Sequence, residues 1–395
     1  MHEEATPGDG PTAPFILRPL EPFDPAALPC REFLLGKHYQ RRVVSGTVAP
    51  GGTGKSSKVM SEGISMATAR DLLDEQPRER LRVWLHNGED NMDELRRRLA
   101  GNCQHHGIPL EELRGWFFMT SGNEVPLRVA QSFNQVRMQT DNRLIKCIAE
   151  QIGDNKIDVA IFDPLVTLHG VPENDSGKMD AVVRIFANIA DAQNCAIDLS
   201  HHCRKPPPGA ASNDYDIDDM RGAKAISDAM RAVRILNFMS SKEAEAAGLL
   251  DIERQSYFRV DRGKANYSGP SKVATWRRFF NVDLPNGDAV GIVLPWQFPG
   301  QEGAPPSPEK LETERKAEHV FLEILRRLTL AGRFVGERGP YNAPHVFAKE
   351  REAKIAKVGK AALSAAMVRL FDKGKIRIED YVMANRHPGV RIVEA

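Results

Sequence analysis

The residues with the clearest chemical meaning form the run Ala-Pro-Gly-Gly-Thr-Gly-Lys-Ser at 49–56. Gly51, Gly52 and Gly54 carry no Cβ, so the backbone N–H groups of the loop can turn inward on an anion. Lys55 adds a positive charge at the same point, and the Ser56 hydroxyl can bind a divalent cation. The run is therefore a phosphate-binding loop of the Walker A type, and it predicts a site for ATP with Mg²⁺.

The flanking sequence has the form that such a loop requires. An apolar, β-rich run at 42–48 precedes it, and a helix-like pattern follows from 57. The N-terminus of that helix would add its positive dipole end to the anion site. Ala49 departs from the usual glycine, but the part of the loop lined by backbone is intact. We expect the following residues to cradle the phosphates: Pro50, Gly51, Gly52, Thr53, Gly54, Lys55, Ser56 and Ser57.

Two carboxylates follow apolar runs and are candidates for the remaining chemistry. Asp163 ends the run 159–162, where a carboxylate would emerge beside the phosphates and hold Mg²⁺ together with Ser56. A plain turn at Asp-Pro is the alternative. Glu89 follows the run 81–85 and could polarise an attacking water as general base. Asp90 is its rival, and either Asp90 or Asn91 could instead cap the next helix.

His201 and His202 end a further apolar run, 195–200. A histidine at that position could sense the γ-phosphate and relay its loss to the next loop. A zinc site is not expected, because no Cys or carboxylate lies at ligand spacing and successive strand residues face opposite ways.

Short β-rich runs alternate with helix-like segments through most of the chain. Strands are predicted at 42–48, 81–85, 116–119, 159–162, 195–199 and 233–236, and helices at 57–73, 93–106, 135–152 and 178–193. This alternation predicts an α/β fold with a mostly parallel sheet covered on both faces. Asp198 falls within one of these strands, so its carboxylate must be paired, or the strand is not central.

Composition divides the chain into four parts. Seven prolines make 1–30 an extended segment, and a Gly/Pro-rich stretch at 298–309 reads as a linker. The main domain is predicted at 31–297. In 310–395, helices at 312–330 and 353–373 precede strands at 376–382 and 390–393, which predicts a winged helix-turn-helix domain.

The chain begins without a signal peptide, and no apolar run approaches the roughly 18 residues that span a bilayer. Five cysteines without a C-x-x-C pair indicate reduced thiols. A cytoplasmic protein without a membrane partner is expected. The segment 305–395 carries 18 Lys and Arg against 12 Asp and Glu. Lys354, Lys357 and Lys360 recur along it and could meet phosphates of duplex DNA, although docking of another protein is the alternative.

The order of these motifs resembles the RepA hexameric replicative helicases of plasmids, phages and other mobile elements, a branch of the RecA-like ATPases. The similarity rests on the phosphate loop and on these short matches: Phe-Leu-Leu-Gly36, Gly-Glu-Asp90, Leu-Arg-Arg-Arg-Leu99, Phe-Asp-Pro-Leu165, Glu-Asn-Asp175, His-His202, Arg-Gly-Ala223, Met-Arg231 and Lys264-Ala-Asn-Tyr267.

The resemblance implies a homo-oligomeric ring, a hexamer in that family, with the phosphate site between subunits. It implies that Arg98 and Arg231 act as arginine fingers from the neighbouring subunit, although a solvated Arg98 is the alternative. The loops after Asp163 and His202 would contact single-stranded DNA, with Arg204 and Lys205 supplying positive charge. The acidic run 214–219 is unfavourable for that contact.

The sequence thus predicts a RecA-like ATPase that moves on single-stranded DNA during replication of a mobile element. The rival hypothesis is a loader or regulatory switch that binds ATP and partners without unwinding DNA.

Overall fold

The computed structural model describes residues 17–133, 137–203, 214–219, 223–267, 274–299, 308–337, 339, 342–382 and 388–395. The predicted linker therefore lies mostly outside the described residues, as does the first half of the Pro-rich segment. Residues 17–32 are exposed and contain one 3₁₀ turn, Pro25–Ala27.

The strands, in chain order, are β1 Phe33–Leu35, β2 Tyr39–Gln40, β3 Val44–Ala49, β4 Val83–Asn87, β5 Phe117–Ser121, β6 Ala130–Ser132, β7 Met138–Thr140, β8 Val159–Asp163, β9 His169–Gly170, β10 Ala196–His202, β11 Ala232–Phe238, β12 Tyr257–Ala265, β13 Thr275–Asp283, β14 Ala289–Trp296, β15 Ile376–Val382 and β16 Pro388–Glu394. Nine of them form one sheet in the order β14-β13-β12-β11-β3-β10-β8-β4-β5. The six strands from β11 to β5 are parallel, whereas β12, β13 and β14 are antiparallel. Smaller sheets pair β1 with β2, β6 with β7 and β9, and β15 with β16.

The α-helices are α1 Lys55–Thr68, α2 Met92–His106, α3 Asn142–Asp154, α4 Ser176–Ala192, α5 Ala223–Ala229, α6 Ser241–Ala246, α7 Pro308–Leu330, α8 Ala343–Phe347, α9 Arg351–Ala356 and α10 Lys360–Asp372. Short 3₁₀ turns lie at Leu110–Leu113, Leu165–Leu168, Ile217–Asp219 and Glu253–Ser256. Within the described residues, none of the helices has both the length and the apolar character needed to cross a bilayer.

Successive residues of the parallel strands point to opposite faces, and both faces are buried. On β8, Ala160 and Phe162 join a core with α3 and α4, while Val159 and Ile161 join a second core with α1 and α2. This double burial is why the strands read as continuous apolar runs rather than alternating ones. The predicted α/β architecture with a mostly parallel sheet is confirmed.

Two predicted helices were wrong in their bounds. Within the segment predicted as a helix from 135, Met138–Thr140 form strand β7, and α3 starts only after Asp141, whose side chain accepts from the N–H of Leu144. The helix predicted over 353–373 is two helices, because Lys357 takes a left-handed conformation with φ 56°. As a result, Lys354, Lys357 and Lys360 lie on α9, on the turn and on α10, not on one helix face.

The segment 308–395 has its own apolar core, formed mainly by α7, α8, α10 and the β15–β16 hairpin. Phe321 of α7 and Phe347 of α8 are fully buried at its centre, with ring centroids 4.7 Å apart. The Ile392 N–H donates to the Val335 carbonyl, which ties the hairpin to the residues after α7. The helices and the terminal hairpin follow the predicted order, with α8 and the helix break added.

Asp198 lies on β10 between β3 and β8, so its strand is central and its carboxylate must be paired. Both oxygens are satisfied: Oδ1 accepts from the Ser45 hydroxyl at 2.8 Å, and Oδ2 accepts from the Thr47 hydroxyl at 2.7 Å. His38 Nε2 lies 2.7 Å from Oδ1. Burial raises the pKa of Asp198, but His38 and Arg234 outweigh that effect and lower it to about 2.

The same buried network continues to helix α1. Arg234 of β11 donates to both carboxylate oxygens of Glu62, each at 2.6 Å, and its Nε donates to Thr47. Lys58 and the Tyr39 hydroxyl also donate to Glu62. Burial raises the pKa of Glu62, yet Arg234 and Lys58 hold it below its ordinary value. The network thus links α1 to three neighbouring strands by charge-assisted hydrogen bonds.

We predict that Glu62→Gln lowers the free energy of unfolding by about 3–5 kcal/mol, because two buried cations lose their shared carboxylate. Urea denaturation measures the loss, with the exposed Glu79→Gln as the control. Because the pKa of Glu62 is lowered, the difference from wild type should be full at neutral pH and shrink below about pH 4.5. A difference that is small at pH 7 would contradict this account of the network.

Candidate functional site

The loop between β3 and α1 has a backbone conformation that requires glycine. Gly52 and Gly54 take φ values of 80° and 82°, in the left-handed region that favours glycine. The Thr53 hydroxyl donates to the Pro50 carbonyl at 2.8 Å and closes the turn. A Cβ on Gly54 would lie 2.4 Å from the Phe279 ring, so glycine is required there by backbone and packing together.

Lys55 and Asp163 meet at the centre of the site. The Lys55 Nζ donates to Asp163 Oδ1, and both side chains are buried. The second oxygen, Oδ2, is buried and accepts no hydrogen bond within the described part of the chain. A buried carboxylate oxygen without a donor suits a divalent cation, since hard cations prefer oxygen ligands. The residues therefore fit the predicted magnesium, with Asp163 and the Ser56 hydroxyl, which lines the cavity, as its holders.

The carboxylates that follow β4 differ in the residues that they contact. Asn87 Oδ1 accepts from the N–H groups of Glu89 and Asp90, at 2.9 and 2.7 Å, and fixes the turn. Asn91 caps α2 by accepting from the N–H of Glu94. Asp90 pairs with Arg98 at 2.8 Å. Glu89 is left half exposed and lines the cavity of the phosphate loop, where a general base would be needed.

The two histidines at the end of β10 point to different environments. His201 is fully buried, whereas His202 is partly exposed and lines the cavity. In the parallel register, His202 lies opposite Ala49, immediately before the phosphate loop. Its Nε2 is 4.0 Å from Glu89 Oε1. Only His202 of the pair is placed to meet a bound phosphate directly.

Arg98 lies in the cavity of its own chain. Its guanidinium contacts Asp90 at 2.8 Å and Glu94 at 3.1 Å, and it is about one-fifth exposed. The sequence-based expectation placed Arg98 at a neighbour's site. In the structure Arg98 lines the cavity of its own chain, and its action on a neighbouring subunit stays a prediction.

Arg231 lies at the opposite edge of the sheet. Its N–H donates to the carbonyl of Val44, at the start of β3, whereas the phosphate loop follows the end of that strand. The separation along β3 is about 16 Å at 3.3 Å per residue. Arg231 therefore cannot reach the phosphates of its own chain. Arg204, Lys205 and Arg221, the other basic positions of the predicted DNA and finger segments, lie outside the described residues.

The cavity has a volume of about 390 Å³ and is lined by the predicted loop residues together with a wall that the sequence did not predict. Phe279 of β13 and Ala289, Val290 and Gly291 of β14 form that wall, and the Ser57 hydroxyl donates to the Gly291 carbonyl at 3.3 Å. No local motif marks these residues. Asn87 was also missed, although a polar residue directly before Gly-Glu-Asp could have suggested it.

His86 on β4 adds no positive charge to the site. It is buried beside Phe162, and its Nδ1 lies 3.0 Å from the Thr120 hydroxyl. Burial lowers the pKa of His86 to about 4, although nearby Asp163 opposes the shift. The imidazole is thus neutral at physiological pH, and Lys55 remains the cation that Asp163 contacts.

Comparison with known proteins was consistent with this geometry. Residues 17–208 match the family model described as an AAA domain. Among solved structures, the RadB recombinase aligns with 61% of this chain and 89% of its own, at 11% identity and a TM-score of 0.40. At that distance nothing about the recombinase transfers to this chain.

The class of protein follows from the sheet and the loop. Strand β10 lies between the strand of the phosphate loop and the strand of Asp163, and all four strands that carry site residues end at one sheet edge. Together with the AAA match, this arrangement indicates a RecA-like P-loop ATPase. The fold supports nucleotide binding and ATPase activity.

We predict a graded response to alanine in the loop of the nucleotide-free protein. Gly51→Ala meets no atom within 4 Å and should change the unfolding free energy by less than about 0.5 kcal/mol. Gly52→Ala adds left-handed strain of about 1 kcal/mol. Gly54→Ala adds both strain and the contact with Phe279, about 2–4 kcal/mol in all. Denaturation of the three variants measures the order, and equal losses would contradict the described packing.

Proposed function

We propose that the protein hydrolyses ATP at the cavity of the phosphate loop. The observation that carries the proposal is the convergence of Lys55, Asp163, Glu89 and His202 at one end of four parallel strands. Lys55 stabilises the charge on the terminal phosphates, Glu89 polarises the attacking water, and His202 senses the γ-phosphate. Arg98 contributes positive charge from the same subunit.

Magnesium, when bound, neutralises charge on the β- and γ-phosphate oxygens. Ser56 and Asp163 would hold it, and the backbone N–H groups of residues 51–57 would hold the phosphates. Lys55 must then exchange its contact with Asp163 for one with phosphate. Nucleotide binding would thus replace the ion pair between Lys55 and Asp163 by two contacts, one of Lys55 with phosphate and one of Asp163 with magnesium.

We further propose that the ATPase is a motor on single-stranded DNA, as the resemblance to the RepA helicases implies. The position of Arg231 supports a ring, because this arginine lies at the sheet edge away from its own phosphate loop. In a head-to-tail assembly that edge can face the loop of the next subunit. A loader or switch that hydrolyses ATP without unwinding DNA is the rival function.

The segment 308–395 would give this motor a second nucleic-acid contact. Its helices and terminal hairpin have the order of a winged helix-turn-helix. Lys354, Lys357 and Lys360 are exposed around the break between α9 and α10, where they could meet duplex phosphates.

For Glu89→Gln we expect ATP turnover to fall about 100-fold or more while ATP affinity is retained, because the general base is lost but the phosphate cradle is intact. Steady-state hydrolysis and nucleotide binding measure the two effects. Glu111→Gln, on an exposed 3₁₀ turn outside the cavity, is the matched control.

The same pair of variants tests the motor in a strand-displacement assay on a forked duplex. Unwinding by wild type and Glu111→Gln, but not by Glu89→Gln, is expected of a helicase. Turnover of ATP that never displaces a strand would favour the loader or switch. If Lys55→Ala bound ATP–Mg²⁺ with undiminished affinity, neither the helicase nor the loader or switch would be supported.

For Arg231 we predict complementation between subunits. Arg231→Ala and Lys55→Ala should each have little ATPase activity alone. After subunit exchange, an equal mixture should recover about one quarter of wild-type activity, because that share of head-to-tail interfaces combines an intact loop with an intact arginine.

Absence of recovery, with mixed assemblies demonstrated by size and composition, would show that Arg231 does not act on a neighbouring site. Glu79→Gln mixed with Lys55→Ala is the control for simple dilution, since Glu79 is exposed and does not line the cavity of the phosphate loop.

A further inference from the structure

A second cavity, of about 200 Å³, lies near the opposite edge of the sheet from the phosphate loop. Ala232 and Val233 at the start of β11 line it, and they pair with residues at the start of β3. Its wall carries one carboxylate, Glu75, and six cationic side chains: Lys37, Lys58, Arg234, Arg262, Lys264 and Arg277. The side chains that line this cavity therefore carry more positive than negative charges.

Some of these cations are neutralised inside the protein. Lys58 and Arg234 share the carboxylate of Glu62. Lys264 donates to the Ser227 carbonyl at 2.7 Å and lies 3.9 Å from a carboxylate oxygen of Asp228. Arg277 differs from these three side chains in its contacts.

Arg277 of β13 is 4% exposed, and within the described chain no carboxylate lies within 4.0 Å of it. Its two terminal nitrogens donate to backbone carbonyls, those of Trp276 at 2.7 Å and Leu73 at 2.8 Å. Its Nε is buried and donates to no acceptor among the residues that the structure describes. Burial lowers the pKa of Arg277, although Glu75 and Glu62 oppose the shift from beyond contact distance. A buried guanidinium without a counter-ion is costly, by several kcal/mol.

We infer that this cavity binds a phosphate group, with Arg277 and Arg262 as its principal ligands. Guanidinium groups match the geometry of phosphate oxygens better than ammonium groups do. Arg262 is exposed at the cavity mouth, so it can meet an entering anion. Glu75 opposes binding and limits affinity. The site is separate from the phosphate loop and does not depend on the proposed ATP hydrolysis.

The test uses the full chain carrying Lys55→Ala, so that the phosphate loop contributes little. Equilibrium dialysis with radiolabelled orthophosphate, at constant ionic strength because salt screens such contacts, should show about one bound phosphate per chain. Arg262→Gln should weaken the affinity about fivefold, and Glu75→Gln should strengthen it by a similar factor. Arg277→Met should abolish binding.

Arg78→Gln is the matched control, because Arg78 is exposed on the segment after Glu75 and does not line the cavity. Its affinity for phosphate should be unchanged. If Arg277→Met fails to fold, the opposite changes in phosphate affinity of Arg262→Gln and Glu75→Gln still test the site. Equal affinity in all these variants, or no phosphate bound once Lys55 is replaced, would overturn the inference.

Two sources of the phosphate are separated by competition. Displacement of orthophosphate by pyrophosphate or ADP, but not by an oligothymidylate, identifies a free phosphorylated compound. Displacement by the oligothymidylate identifies the backbone of a nucleic acid. If the wild-type protein bound no ATP but the Arg277 cavity still bound phosphate, the proposed ATPase would fall and the phosphate site would remain.

Discussion

The contact between Lys55 and Asp163 is the constraint around which the site is built. One residue begins α1 and the other ends β8, and β10 separates β8 from the strand that precedes the loop. The contact can form only if the three strands are parallel and in register. The order of the central sheet is therefore a requirement of the proposed chemistry, because Lys55, Asp163 and the histidine of β10 come from separate parts of the chain.

Helix α1 carries this constraint into the core. Lys55 faces the cavity, while Lys58 and Glu62, one and two turns further on, belong to the buried network with Arg234 and Asp198. Helix α1 is thus held at two points, at the cavity through Lys55 and in the core through Lys58 and Glu62. The polar network thus gives the loop a fixed base, at the energetic cost of burying four charged side chains.

The site residues that follow strands were predictable, whereas their surroundings were not. Gly54-Lys55-Ser56, Glu89, Asp163 and His202 each lie at or within a few residues of the end of an apolar run, so a parallel sheet must bring them together. The wall of Phe279 and Gly291 depends on antiparallel strands far along the chain, whose packing onto α1 no local pattern encodes. Arg98 shows a different limit, since spacing on a helix cannot distinguish the same subunit from a neighbour. The break at Lys357 was missed because a lysine in the left-handed region carries no sequence signal, and helix propensity favoured continuation.

Arginines lie near both ends of β3, but they differ in whether a carboxylate contacts them. At the end that carries the phosphate loop, Arg98 is restrained by Asp90 and Glu94, so a flexible cation is held ready without a bound anion. At the start of the strand, no acid among the described residues contacts Arg277, and Glu75 acts on it only from beyond contact distance. A protein that retains a buried arginine without a contacting carboxylate must either tolerate the cost or recover it from an anion in solution. Lys58, Arg234 and Lys264 have their own partners, so Lys37 and Arg262 are the cations that would join Arg277 in holding such an anion. Apolar residues would fill that space more stably if no anion entered it.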